Sequence, residues 1–385
     1  MTINTPAAES NTQTAIDFVY LSEPDMVAAG VTDMAACVDT MEEMFGVLGR
    51  GDYRMAGKNA DSHGAMVSFP EEPEFASMPR HAEDRRFMAM PAYLGGSFRA
   101  AGVKWYGSNV ENKAAGLPRS IHLFVLNDVD TGAPLAVMSA NLLSAMRTGA
   151  IPGVGARLFA PADATVVGIV GPGVMARTAL QSFIVARPGI ETVRIKGRGR
   201  RGEEAFADWV GEHFPDVRVE IMPDNESVVR GADIVTYCTT SGGTRDNYPE
   251  LRREWVKPGA YLAMPSSARM DEAMVADDIR KVVDNLGLYE AWEEEFPYPT
   301  YESIPIIGCY FTDLVHEGKL APDAIEDIGK IIAAGGTGRR DDEIVLFSIG
   351  GMPVEDVAWA SRILERARLQ GIGTPLNLWQ TPVLA

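Results

Sequence analysis

Between about residues 160 and 285, short apolar runs alternate with amphipathic stretches. The runs at 165–170, 192–195, 217–221, 234–238, 261–264 and 281–283 read as buried strands, with helical spacing at 174–186, 203–213 and 225–230. Strand and helix in strict turn predict an α/β fold with a doubly wound, parallel sheet. The pattern before this stretch is different. Segments 87–90, 101–105 and 120–127 read as strands, and Asp130-Thr-Gly-Ala-Pro134 reads as a turn before another short strand. This is the pattern of a mixed α+β unit. A helix at 141–159 leads from it into the alternating region. Near the C-terminus, 354–369 has helical periodicity with charges on one face, and it is expected to pack near the junction or back on the first unit. Residues 67–86, rich in Pro, Glu and Arg, read as an irregular excursion, and 1–15 as a disordered leader.

One junction in the alternating region carries chemistry. The run 165–170 ends in Gly171-x-Gly173-x-x-Ala176, and a helix follows at once. A dinucleotide pyrophosphate needs this order. The first glycine permits the tight turn, the second lets backbone approach the phosphates, and the small third residue packs helix on strand. The first helical residues, Val174 and Met175, bring NH groups and the positive end of the helix dipole to the phosphates. A glycine-rich turn without a ligand is the plain alternative. After the second strand a fold that prefers NAD usually places an acid for the ribose 2′-hydroxyl. Here the residues are Lys196-Gly-Arg198-Gly-Arg200-Arg201, with four cations in six positions and no acid. Arginine forks match phosphate oxygens, so the cluster suits a 2′-phosphate and predicts NADP(H) as the preferred cofactor, with NAD(H) possible. A solvated loop is the alternative. Thr239, just beyond the strand at 234–238, is a further candidate cofactor contact.

Composition narrows the picture. The chain has 385 residues and a formal charge of −18, which makes the basic cluster conspicuous and argues against binding nucleic acid or an anionic membrane. No apolar run reaches the length of a membrane span. The three cysteines, Cys37, Cys238 and Cys309, show neither disulfide-framework nor metal spacing, and the five histidines form no zinc signature. A cytoplasmic protein without a metal is expected.

Two further segments draw notice. Lys104 interrupts an apolar strand pattern; it either snorkels to solvent or lies in a cleft, where desolvation would lower its pKa. Arg147 sits mid-helix among small and apolar neighbours, so it needs a partner, either a substrate carboxylate or an internal acid. Tyr93, Trp105 and Tyr106, with the segment 296–301, are candidates for lining a pocket for a larger or aromatic substrate.

In order along the chain come Gly102-Val-Lys104-x-x-x-x-Asn109, Gly116-Leu-Pro118, Asp130-Thr-Gly-Ala-Pro134, Met146-Arg-Thr-Gly-Ala150, the Gly171 fingerprint and Glu343-Ile-Val-Leu-Phe-Ser-Ile-Gly-Gly351. This set resembles the ornithine cyclodeaminase/μ-crystallin family from about Lys58 to Trp379. The resemblance implies a homodimer. It also implies a substrate-binding and dimerisation domain formed by 16–150 with 330–385, and a Rossmann NAD(P)-binding domain over 151–329. Activities in that family include ornithine cyclodeamination, ketimine reduction and amino-acid dehydrogenation; some members serve mainly as binders. By position, Lys104 matches the family's active-site lysine and Arg147 the arginine that holds the substrate carboxylate. Lys58 falls where the family has a second carboxylate-binding arginine, and the lysine lacks its bidentate fork. Arg80, Arg85 or Arg86, in or beside the excursion, are candidates to take over that role. Cyclodeaminases carry an aspartate in the loop after the strand at 261–264; the aligned residue here is Ala268, with Asp271 three residues on. The missing aspartate and the basic cluster at Lys196 to Arg201 favour an NADPH-dependent reductase acting on an imine with a carboxylate over a cyclodeaminase, and retention of Lys104 and Arg147 leans toward catalysis over a non-catalytic binder.

Overall fold

The computed structural model describes residues 14–82, 84–240, 245–336 and 339–384. Two eight-stranded sheets organise the chain. The first runs Thr374–Trp379, Ile16–Leu21, Pro134–Ser139, Ser120–Asp128, Ala100–Ser108, Arg86–Leu94, Tyr53–Met55, with Ala65–Val67 also paired to Arg86–Leu94. Its long central strands alternate more buried with less buried positions, as a sheet covered on one face requires. Between Val67 and Arg86 there is no regular element among the described residues, as expected for the excursion. Residues 1–13 of the expected leader lie outside the described residues.

The second sheet is parallel throughout, in the order Arg218–Ile221, Thr192–Lys196, Val166–Val170, Ile234–Tyr237, Tyr261–Met264, Ile344–Ser348, Ile279–Val283, Ile325–Asp327. Its first six strands in chain order fall where the apolar runs predicted them. The last two lie beyond that span: Ile344–Ser348 inserts between Tyr261–Met264 and Ile279–Val283. The boundary expected at 329/330 therefore does not hold for this sheet. All five residues of Ile344–Ser348 are buried, and a run apolar on both faces belongs inside a parallel sheet.

Helix Asn141–Phe159 joins the two units and packs against Val174–Ala186, the helix after the glycine turn. The approach is close: a Cβ on Gly149 would overlap Thr178, and one on Gly153 would overlap Ser182. That contact helps seat Arg147, two residues before Gly149, with the Arg147 Nη1 beside Gly351, just past the C-terminal end of Ile344–Ser348. Helix Pro353–Gln370 crosses back onto the first sheet, packing on Arg86–Leu94, Ala100–Ser108 and helix Met34–Gly49. Its charges are not all on a solvated face, because Glu355 and Asp356 in its first turn are fully buried.

Candidate active site

Lys104 is 2% exposed and points to the covered face of the first sheet. Its ammonium donates to Asp356 Oδ2 at 2.8 Å and lies 3.3 Å from Ser144 Oγ. Arg147 Nε donates to the other oxygen of Asp356 at 3.0 Å, and Arg147 Nη1 donates to Glu355. Two cations and two carboxylates thus form one buried quartet. The snorkelling alternative for Lys104 does not occur. The internal acid foreseen as an alternative partner for Arg147 does.

The quartet sets its own proton affinities. Burial pushes the Lys104 ammonium down to about 8, helped by the charge of Arg147 and opposed by Asp356. Burial pushes Glu355 up to about 7, although Arg147 opposes it. Burial also acts against ionisation of Asp356, but Arg147 and Lys104 outweigh it and hold this carboxyl below its ordinary value. For Arg147 burial is likewise outweighed, by Asp356 and Glu355, so it stays charged.

Neither acid was singled out in the sequence. The signal available was a pair of adjacent acids, after Pro353, inside a run otherwise rich in apolar residues. Local geometry delivers them. Gly351 adopts φ +79°, and a Cβ there would press on Arg147 Nη1. Asp284 accepts hydrogen bonds from the NH groups of Gly350 and Gly351 at 2.7 and 2.9 Å, which fixes the turn from which the helix starts.

Strand register decides which neighbours share this site. Met90 and Phe124 pair with Lys104, while Met88 and His122 pair with Tyr106. Side chains two apart share a face, so all of these lie on the Lys104 side. Trp105 and Tyr93 have the opposite parity, so they do not line the site with Tyr106. Trp105 is 46% exposed and stacks on Phe87 on the outer face. His63, from the loop beside Trp292, joins the inner group; burial and the charge of Lys104 push it down to about 3.

Lys58 is not brought to the quartet. Its side chain is 88% exposed, 4.0 Å from Glu294. The bridge Ala56–Ser62 and the positive φ of Gly57 (+82°) turn this loop sharply. Arg80 is an exposed side chain bonded to the Glu71 carbonyl, and Arg85 pairs with Glu111; Arg86 pairs with Asp84 and lies 6.0 Å from the Tyr106 ring.

The nucleotide end lies where the second sheet reverses its strand order, between Val166–Val170 and Ile234–Tyr237. Ligands of such sheets bind outside the strand ends at that point. Gly171 has φ +89°, and a Cβ there would press on the backbone of Cys238. A Cβ on Gly173 would project into open space, leaving the room a pyrophosphate needs above the exposed first turn at Val174 and the half-buried Met175. Thr239 flanks the same opening and is held by Ser266 Oγ, 3.2 Å from its NH. The residues therefore fit a dinucleotide. The basic cluster is less free than its sequence implied. Glu203, on the following helix, folds back to accept from the Gly197 NH at 2.9 Å and to pair with Lys196 at 3.2 Å. Arg200 pairs with Glu204. Arg198 reaches the Thr240 carbonyl, and Arg201 is exposed in the first turn of a helix whose N-cap, Gly199, supplies no side-chain cap.

The loop after Tyr261–Met264 contains no carboxylate at the aligned position. Ala268 is buried, and its backbone exchanges hydrogen bonds with the Tyr301 hydroxyl. Asp271, three residues further on, accepts from the Arg253 NH with both oxygens at 3.2 Å.

An open glycine turn at the reversal point of a Rossmann sheet, with a buried lysine quartet on the adjoining unit, defines an NAD(P)-dependent oxidoreductase. The chain belongs to the ornithine cyclodeaminase/mu-crystallin family, whose profile matches residues 30–371. It is 27% identical to the N-((2S)-2-amino-2-carboxyethyl)-L-glutamate dehydrogenase of Staphylococcus aureus over 368 residues, covering 94% of this chain and 99% of that protein. It is 28% identical to a Delta(1)-pyrroline-2-carboxylate reductase of Bacillus cereus, covering 78% of this chain and 87% of the relative. Among solved structures, the Thermococcus litoralis Delta(1)-pyrroline-2-carboxylate reductase, in complex with NADH and L-proline, superposes with a TM-score of 0.74 at 25% identity, covering 93% of this chain and 99% of that one. Among the described residues no helix is long and apolar enough to cross a membrane, and no group of His, Cys, Asp or Glu could hold a metal ion.

Proposed function

We propose that this chain is an NADPH-dependent reductase of 2-imino acids, acting on an imine formed from a 2-oxo acid and an amine or on a preformed cyclic ketimine. The observation that carries the reading is the buried contact of Lys104 with Asp356 beside Arg147. The relatives named for imine reduction and amino-acid dehydrogenation support it. When bound, the nicotinamide supplies a hydride to the imine carbon. The chain's own residues do the rest. The substrate carboxylate exchanges with Glu355 at Arg147, because a carboxyl raised to about 7 takes up a proton at little cost near neutrality. The Lys104 ammonium hydrogen-bonds the imine nitrogen and holds the proton that nitrogen gains. Asp356 keeps Lys104 and Arg147 in one orientation and balances their charge. Lys58 has no part in the reading, because its side chain is turned to solvent.

The preference for NADPH rests on Arg198, Arg200 and Arg201 around the uncapped start of helix Arg200–His213. Exposed arginines can turn to a 2′-phosphate at small cost, since surface ion pairs are worth about 0–1 kcal/mol. A homodimer belongs to the same reading, joined through the outer face of the first sheet, where Phe87, Trp105, Ile121 and Leu123 are exposed together. So does a cytoplasmic location. Purified protein, NADPH and a panel of 2-oxo acids with amines, followed at 340 nm, test the reading: net oxidation is expected. Ammonia release from a diamino acid without net oxidation would instead support a cyclodeaminase. Tight cofactor binding without turnover would support a binder.

A further inference from the structure

The inner face of the first sheet continues past Lys104 into polar groups that the proposed reaction does not use. Tyr106 is the hub. Its ring lies 5.8 Å from Lys104 Nζ, 4.7 Å from the His122 ring and 6.0 Å from the Arg86 guanidinium carbon. Both ring nitrogens of His122 are buried and have no hydrogen-bond partner among the described residues. Buried polar atoms are nearly always partnered, so an orphan pair marks a place where something else supplies the partner. Around this imidazole the charges do not balance. Arg86 and Arg119 share the carboxylate of Asp84, which also accepts from Ser108 Oγ. These three charged side chains carry one net positive charge, whereas the quartet at Lys104 is neutral when both its acids are ionised.

We propose that His122, with Arg86 and Arg119, forms a distal anion subsite, and that the substrate is therefore a 2-imino acid carrying a second carboxylate on its side chain. The α-carboxylate goes to Arg147, and the imine nitrogen to Lys104. The second carboxylate extends along the Tyr106 ring to the His122 ring NH and the guanidinium groups beyond it. Met88 and Met90, on the same face, flank the methylenes between the two ends. Burial and the nearby charge of Lys104 push His122 down to about 4, so its ring is neutral at physiological pH and offers one NH to an anion. The subsite rests on the reductase reading for its orientation but not for its existence.

Two measurements separate them. Calorimetry in the presence of NADPH compares glutarate with butyrate. Glutarate is expected to bind about tenfold more tightly or better, the effect of one charge-assisted contact. Equal or weaker binding of glutarate overturns the subsite. NADPH oxidation with ammonia then compares 2-oxoglutarate and oxaloacetate with pyruvate and 2-oxobutyrate. The dicarboxylates are expected to lead by about tenfold or more in kcat/KM, mainly through KM. Arg119→Met, at a half-exposed side chain, and His122→Phe should each shrink both ratios at least threefold, and Arg218→Met, at a remote exposed arginine, should not. If the monocarboxylates match or exceed the dicarboxylates, the subsite is wrong. If glutarate binds tightly yet no imine is reduced, the subsite stands and the reductase reading falls.

Discussion

Lys104 Nζ and Asp356 Oδ2 lie 2.8 Å apart although 252 positions separate them in the chain. One residue comes from the middle of a strand, the other from the first turn of the last helix, and both are buried. Asp356 is the only group in the quartet that touches both cations. Replacing it should do more harm than replacing either cation. Asp356→Asn keeps the shape and leaves Lys104 and Arg147 with one carboxylate between them. Losing one partner of a buried pair costs about 3–5 kcal/mol. A marked fall in melting temperature is expected, together with a lower Lys104 pKa in the pH profile. A variant as stable as the native chain would contradict the quartet's role.

Lys104→Ala should lower turnover by about 10²–10⁴, the usual effect of removing a positioned proton donor. Cofactor affinity should be nearly unchanged, because Lys104 belongs to the first sheet and the glycine turn to the second. Titration of NADPH fluorescence checks the second half. A variant that turns over normally would remove Lys104 from the reaction.

The pH dependence follows from the two shifted groups. Below about pH 8 Lys104 is an ammonium, the form that donates a proton to nitrogen. Reduction should therefore lose kcat as pH rises through about 8, and oxidation of the product amino acid should gain it over the same range. Glu355 titrates near 7, and only its neutral form releases Arg147 readily. KM for the carboxylate substrate should accordingly rise as pH rises through about 7. Rates independent of pH between 6 and 9 would exclude both assignments.

NADPH should be preferred to NADH by about a hundredfold or more, the worth of two charge-assisted phosphate contacts at roughly 1.5–3 kcal/mol each. Arg198→Ala with Arg200→Ala should erase most of that difference in KM. Equal KM for the two cofactors in the native chain would show that the arginines are only a solvated face.

Ornithine should not be cyclised at a useful rate. A terminal amine attacking an α-imine needs a positioned acid–base group. Ala268 cannot provide it, and Asp271 is bound to the Arg253 backbone. Proline and ammonia formed from ornithine with catalytic NAD would refute this.

Much of the frame is legible in the chain itself. Six of the eight strands of the second sheet, the glycine turn and helices Asn141–Phe159 and Val174–Ala186 can be read from local pattern. Period and turn chemistry are properties of neighbouring residues, so they survive in one dimension. The separation of Tyr106 from Trp105 was also within reach, because strand alternation alone puts them on opposite faces.

What tertiary structure decided is partnership across distance. Pairing Ile16–Leu21 with Thr374–Trp379 adds an edge strand from far along the chain to the first sheet, and inserting Ile344–Ser348 completes the second; no local periodicity specifies either neighbour. The same holds for charge. The basic cluster at Lys196 looked free of acids until the following helix turned Glu203 back onto it. Adjacent acids at the start of a helix look solvated until that helix is laid on a sheet. Burial then makes an isolated charge too costly, and Glu355 and Asp356 become the partners that Arg147 and Lys104 require. The sequence by itself determines which elements form and where a dinucleotide can rest. Which charges face one another is decided only when the two sheets and the last helix are packed, because desolvation acts on whatever that packing encloses.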